Sequence, residues 1–346
     1  MNPSRCKFLH LIAAGTALVV VVGLADHRAL SQAPSLAGKN VQMIIGSGTG
    51  SSFDLWGRVV ARHIGKHLPG KPTVVPQNMP GAGSLNAANH IYNVAPNDGT
   101  AIGLIQGPTA LATITGAPGA RFDPTRINWL GTPITETHIC IAYNSPQVKV
   151  KTLQDLYDKE LIVGSNSTGA GTSFFPKALS ALLGMKFKVI LGFPTTTAVL
   201  LAMERGEVDG ICQTLAGVSV NRPDWIAGKN VTILFQGGIA PNPDLKDVPF
   251  VNDLARTPED RQAIEFLYAG IGLGRPFVAP PDLPTERAKM LRDAFSATMK
   301  DLEFLADTKK QKLDVAPEDG EQLGALVKRI YATPKPIVDQ VTELIK

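Results

Sequence analysis

Cysteine, histidine, tryptophan and charge are all scarce in this chain. Of its 346 residues, three are cysteine, six are histidine, three are tryptophan and only 18% are charged. Cys6 stands too early and is too poorly flanked to be a lipid-attachment site, which leaves Cys140 and Cys212. Both sit in apolar, strand-like runs, where a free cysteine behaves as a small hydrophobe. Two buried thiols are therefore expected, although an oxidising compartment would permit a disulfide. Few histidines leave little room for a metal: only His63 and His67 fall at i, i+4 on a helix, and the sequence HIGKH lacks the glutamate of a zinc protease. With Arg62 and Lys66 beside them they read as a solvated helix face, and no metal or other cofactor is expected. The net charge of +4 asks for no nucleic-acid partner. Without Arg5, Lys7, Arg28 and Asp26 of the first 31 residues, the 34 basic and 30 acidic residues become 31 and 29, a net +2. No apolar run beyond the start approaches the roughly 20 residues of a spanning helix.

Those first residues read as an export signal. Arg5 and Lys7 precede an apolar run from Leu11 to Leu24, and Ala29-Leu30-Ser31 offers a small-residue cleavage site before Gln32. The alternative is an uncleaved anchor, but the apolar run is short for one. The expectation is removal of residues 1–31 and a soluble protein outside the cytoplasm. With 44% hydrophobic residues, the remainder can bury a large core and is long enough for two lobes.

The stretch VQMIIGSGTGSSFDLWGRVVARHIGKHL, Val41 to Leu68, reads as strand, loop and helix. Val41, Met43, Ile44 and Ile45 form an apolar run closed by Gly46, and Leu55, Val59, Val60, Ile64 and Leu68 share one helical face. Gly46, Gly48 and Gly50 let successive N–H groups turn inward, and Ser51 or Ser52 caps the helix. A helix N-terminus attracts anions, so the loop suits an anion, although the same joint occurs without a ligand in many α/β proteins. It is not a dinucleotide fingerprint, a P-loop or a nucleophile elbow.

Strands alternate with helices through the first two-thirds, which predicts mainly parallel sheets with ligands beyond the carboxyl ends of the strands. Leu161 to Gly164, the loop SNSTGAGTS and the helix after it repeat the opening design; Ser84 is the expected cap of another helix; helices dominate after Pro258. Asp209 is the one acid in the apolar strand GEVDGIC, either a turn residue bonding nearby N–H groups or an anchor for a ligand. No spacing marks a catalytic triad among the many serines and threonines, with His90 and His138 as the available bases.

The motifs GTGSSFDLWGR, QNMPGAGSLNAAN, APNDGTAIG, GAGTSFFPKAL, GEVDGI and FVAPPDLP together resemble the Bug-type solute-binding proteins of tripartite tricarboxylate transporters, over essentially the whole mature chain. The resemblance implies an α/β, two-lobed type II periplasmic binding protein. Its lobe 1 would be 32–138 plus 229–275 and lobe 2 would be 139–228, with 276–346 a C-terminal helical segment of unassigned lobe. It implies a non-enzymatic protein that closes on a small carboxylate and passes it to the membrane permease subunits. Gly48, Thr49, Gly50, Ser51, Ser52 and Phe53 in one turn, and Ser167, Thr168, Gly169, Ala170, Thr172 and Ser173 in the other, become the implied ligand residues, with Asp209 beside the pocket. This sequence departs from the family: Pro-Gly-Gly-Gly-Thr becomes Thr49-Gly50-Ser51-Ser52-Phe53, the second turn is longer before Gly169, and Phe175 stands where histidine is common. Phe53, Phe174 or Phe175 would suit an aromatic carboxylate. An exported hydrolase of carboxylate esters and a ligand-presenting partner of a sensor are the competing readings.

Overall fold

The computed structural model describes residues 35–166 and 170–344. The expected leader at 1–31 and the expected site residues Ser167, Thr168 and Gly169 lie outside them. The strands in chain order are β1 (Asn40–Ile45), β2 (Thr73–Asn78), β3 (Ala101–Leu104), β4 (Asn128–Thr132), β5 (His138–Tyr143), β6 (Leu161–Gly164), β7 (Phe187–Ile190), β8 (Gly210–Thr214), β9 (Val231–Gly237), β10 (Phe277–Ala279) and β11 (Glu318–Asp319). The helices are α1 (Ser52–Ile64), α2 (Leu85–Asn93), α3 (Asp155–Asp158), α4 (Gly171–Leu183), α5 (Thr196–Arg205), α6 (Leu215–Asn221), α7 (Asp224–Ala227), α8 (Pro258–Gly272), α9 (Thr285–Met299), α10 (Leu302–Lys310), α11 (Gly320–Tyr331) and α12 (Lys335–Leu344).

Two sheets result, ordered β11-β4-β10-β3-β1-β2 and β7-β6-β8-β5-β9. The chain passes from the first to the second through residues 133–137 and returns through residues 238–276, which contain α8. Both sheets are mixed, which corrects the expectation of mainly parallel ones. β1 pairs parallel with β2 and β3, and β6 with β7 and β8, as the alternation of strands and helices requires. The strands that follow or precede a passage between sheets run the other way: β10 is antiparallel to β3 and β4, and β5 to β8 and β9.

β9 is the second correction. The expected lobe 1 includes it within 229–275, yet it hydrogen-bonds along β5 from His138↔Gly237 to Tyr143↔Val231 and closes an edge of the second sheet. An apolar run announces a strand but not its partner, and here the partner lies about ninety residues upstream. Of the C-terminal segment, β10 and β11 complete the first sheet, α9 and α11 pack on β4, and α12 packs on α8 and α4.

α1 forms where its pattern predicts. Trp56, Val59, Val60 and Ile64 are buried on one face, against β1 and the helices α9 and α10, each side chain contributing about 1.5–3 kcal/mol. His63 and His67 do not face solvent as expected. His63 Nε2 lies 3.0 Å from Asp307 and His67 Nε2 lies 2.7 Å from Asp301, so this edge of α1 is tied to α10. Ser84 does not cap α2 through its side chain. Its φ is +75°, and its hydroxyl instead donates to Gly46 O at 2.7 Å and accepts from Gln106 N at 3.2 Å.

The expected pair of thiols is a disulfide. Cys140 and Cys212 stand directly opposite on the antiparallel β5 and β8, with Cα atoms 4.0 Å apart, and their sulfurs are bonded. Both side chains are fully buried, so apolar flanks describe the environment correctly without revealing the cross-strand register.

No helix among the described residues is long and apolar enough to cross a membrane.

Candidate functional site

The loop after β1 is held by one carboxylate. Asp54, 4% exposed, accepts from Gly50 N at 2.8 Å, from Arg58 Nε at 2.8 Å and from Asn78 Nδ2 at 2.8 Å. Asn78 Nδ2 also donates to Ser47 O at 2.9 Å, and its Oδ1 accepts from Arg58 Nη2 and Thr49 Oγ1. Gly50 takes φ +80°, which favours glycine, and this turns its N–H back onto Asp54. Ser51 is the cap, its Oγ accepting from Asp54 N at 3.1 Å. The N–H groups of Ser52 and Phe53 are left at the open end of the helix, where no intrahelical acceptor exists for them.

Burial alone would raise the Asp54 carboxyl, but its bonds from Arg58, Gly50 and Asn78 outweigh that and hold it below its ordinary 3.8. A carboxyl depressed on folding stabilises the native state above its unfolded value, and the gain is lost as pH falls through the folded one. Asp54→Ala is therefore expected to lower stability by about 2 kcal/mol at neutral pH, with the deficit shrinking below pH about 3.8. Urea unfolding at pH 7 and pH 3.5 checks both statements.

The second unit follows β6. α4 begins at Gly171, and the Thr172 hydroxyl lies 2.6 Å from Ser165 Oγ. Ser173 N and Phe174 N donate to Ala170 O, which leaves the N–H groups of Gly171 and Thr172 at the open end of α4.

The two units meet at one cavity of about 510 Å³, bordered by Ser52 from the first and by Asn166, Ala170, Gly171 and Thr172 from the second. Thr196, at the first position of α5, borders it too. Because β5 is antiparallel to β8, His138 stands opposite Thr214, and His138, Gln213 and Thr214 all line the same space. Arg275, just before β10, enters from the return passage between the sheets. Its Nη1 donates to Ser52 Oγ at 3.0 Å, its Nη2 lies 3.0 Å from Glu136 Oε1, and its guanidinium covers the Phe53 ring at 4.6 Å. Arg275 Nε is buried with no partner among the described residues.

Of the expected site residues, Ser52, Ala170 and Thr172 line the cavity. Gly48, Thr49, Gly50, Ser51 and Phe53 do not line it; they build and brace the turn that carries Ser52. Ser173 is fully buried in α4. Asp209 stands at the start of β8, the end away from Gln213 and Thr214, and its carboxylate accepts from Ile162 N at 3.2 Å. Ile162 lies on the neighbouring β6, so the carboxylate ties two strands together rather than bracing its own turn, and it does not line the cavity. Among the three phenylalanines, Phe175 lines the cavity and, with Phe174, a second one of about 320 Å³, while the Phe53 face is covered by Arg275.

Arg275, Gln213, Thr196 and Asn166 were not singled out in the sequence. Arg275 did leave a signal, as the only charge between Glu265 and Asp282.

No protein-family model and no curated protein matches the sequence. Solved structures match its fold. A TctC solute-binding protein from Polaromonas, without ligand, aligns with a TM-score of 0.67 at 17% identity over 87% of this chain and 98% of that one. MatC from Rhodopseudomonas palustris with bound malate aligns with a TM-score of 0.57 at 19% identity, over 86% and 98% of the two chains. The periplasmic binding protein BugD aligns with a TM-score of 0.53 at 20% identity, over 88% and 96%. The expected fold, α/β with the two-lobed architecture of periplasmic binding proteins, is therefore the fold found.

Proposed function

We propose that this protein, built on the fold of the TctC and Bug solute-binding proteins, captures a small organic carboxylate outside the cytoplasm and passes it to the permease subunits of a tripartite tricarboxylate-type transporter. One observation carries the reading: the N-termini of α1, α4 and α5 border a single cavity into which Arg275 also projects. Each terminus offers unpaired N–H groups and partial positive charge, and Arg275, ion-paired with Glu136, adds guanidinium N–H donors. Such a set suits a carboxylate and is poor for a cation. The cavity volume lies within the usual range for small ligands. MatC, of like fold, holds malate, which supports the same ligand class here.

The reading is of binding without turnover. Among the described residues no hydroxyl or carboxylate is hydrogen-bonded to His138, the histidine that lines the cavity, so no nucleophile and base are paired there. Residues 1–31 would be lost on export, and mass spectrometry of periplasmic material would show the chain starting near Gln32.

A thermal-shift screen of carboxylates against the leaderless protein tests the proposal. At about 100 times its dissociation constant a ligand adds roughly 2.7 kcal/mol, a readily measured shift. Carboxylates should stabilise, and analogues whose every carboxylate is converted to an amide or ester should neither stabilise as strongly nor be hydrolysed. Stabilisation by amines alone, or ester hydrolysis over many turnovers, would contradict it.

A further inference from the structure

Buried polar groups without partners are rare, because each costs about 1–3 kcal/mol when left dry. Three border this cavity: one on Arg275, described above, and one each on His138 and Gln213. His138 is 2% exposed and Gln213 is 8% exposed; His138 Nδ1 and Gln213 Nε2 have no hydrogen-bond partner among the described residues. His138 opens β5 and Gln213 is the last residue but one of β8, so both stand at the same end of the second sheet; the pairs His138–Thr214 and Ile139–Gln213 put their side chains on opposite faces, and each borders the cavity from its own face. Behind His138 the surroundings are aromatic. The His138 ring lies 4.2 Å from the Phe175 ring and 5.8 Å from that of Tyr268, and those two stack at 4.5 Å.

The floor is also neutral. Burial pushes the His138 imidazole down to about 3 and no charged group contributes to that shift, so the ring is uncharged at neutral pH. The charged residues that line the cavity are Arg275, Lys312 and Asp314, and Arg275 is engaged with Ser52 and Glu136. A carboxylate placed against His138 would be desolvated against aromatic rings, where no charged group acts on the imidazole. An uncharged group with hydrogen-bonding capacity would instead give the orphaned Gln213 N–H and His138 ring nitrogen the partners they lack.

We infer that His138 and Gln213 form a neutral polar subsite at the cavity floor, which takes an uncharged hydrogen-bonding group of the ligand, such as an amide, carbonyl or hydroxyl, while the ligand's carboxylate sits at the helix N-termini. This rests on the carboxylate reading above and narrows it: the preferred ligand carries one carboxylate and one neutral polar group, not two carboxylates.

Calorimetry with matched straight-chain acids of four to eight carbons tests the inference. The three series are the α,ω-diacids, their ω-monoamides and the simple monocarboxylic acids. The native protein should bind the best monoamide at least about tenfold more tightly than the diacid or the monoacid of the same length. In Gln213→Leu the preference of amide over methyl end should fall to about one. Gln213→Glu should weaken the monoamide further, because it places an uncompensated charge on the floor. Circular dichroism confirms folding, and His138→Gln, which retains a polar group, serves if Gln213→Leu does not fold. A diacid preferred tenfold, or an unchanged amide preference in folded Gln213→Leu, overturns the subsite and leaves the carboxylate reading standing. No binding in any of the three series overturns both.

Discussion

Arg275→Gln is expected to weaken carboxylate binding by about 2–4 kcal/mol, roughly 30- to 1,000-fold. The side chain is 13% exposed, so its charge acts in a medium far less screening than water. It reaches Ser52 on the first unit and Glu136 in the passage between the sheets, and its free Nε is buried at the cavity edge. Removing the guanidinium takes away the cation and also leaves the half-buried Glu136 unpaired beside an incoming anion. Arg275→Lys keeps the charge but loses the planar fork, and should fall between glutamine and the native protein. Calorimetry with the tightest carboxylate found by screening measures the series, with thermal unfolding run alongside to separate folding from binding. Affinity within twofold of native for folded Arg275→Gln would remove Arg275 from the site.

The largest effect on stability is expected at the disulfide. Cys140 and Cys212 are 72 residues apart in sequence, and closing a loop of that length restricts the unfolded chain enough to stabilise the native state by about 2–4 kcal/mol. Replacing both with alanine removes the cross-link and two small core side chains, and the unfolding midpoint should fall by roughly 3–8 °C. Reductant should carry the native protein most of the way to the variant and leave the variant unmoved. If native protein and variant melt together with and without reductant, and thiol titration finds two free cysteines, the bond does not form in solution.

The local units were legible because their signals are local. Val41 to Ile45 announces a buried strand, the spacing from Leu55 to Leu68 announces a helix, and the serine between them announces a cap, which Ser51 provides. The turn of φ +80° at Gly50 was equally readable, since glycine tolerates it. What escaped depends on which strand lies beside which. The pairing of β5 with β8 sets Cys140 against Cys212 and brings His138 and Gln213 to the same end of the sheet in one step, and no periodicity within either strand reveals it. The same holds for β9, whose run of seven residues predicts a strand but is neutral about its sheet. Asp209 shows a related limit: an acid in an apolar strand points to an end of that strand, but not to which end borders the cavity. Asp54 and Arg58 were quoted only as part of a motif, and the structure shows their work to be bracing the turn.

The central claim is that main-chain N–H groups at two helix N-termini hold one carboxylate between them, and side-chain deletion cannot remove such groups. Backbone amide exchange resolved by NMR, with and without the saturating carboxylate, reads them directly. The account predicts marked slowing on binding at Ser52 and Phe53 of α1 and at Gly171 and Thr172 of α4, all four together and from a single ligand. Unchanged exchange at these four amides, with slowing confined to the separate apolar cavity around Phe174, would contradict it.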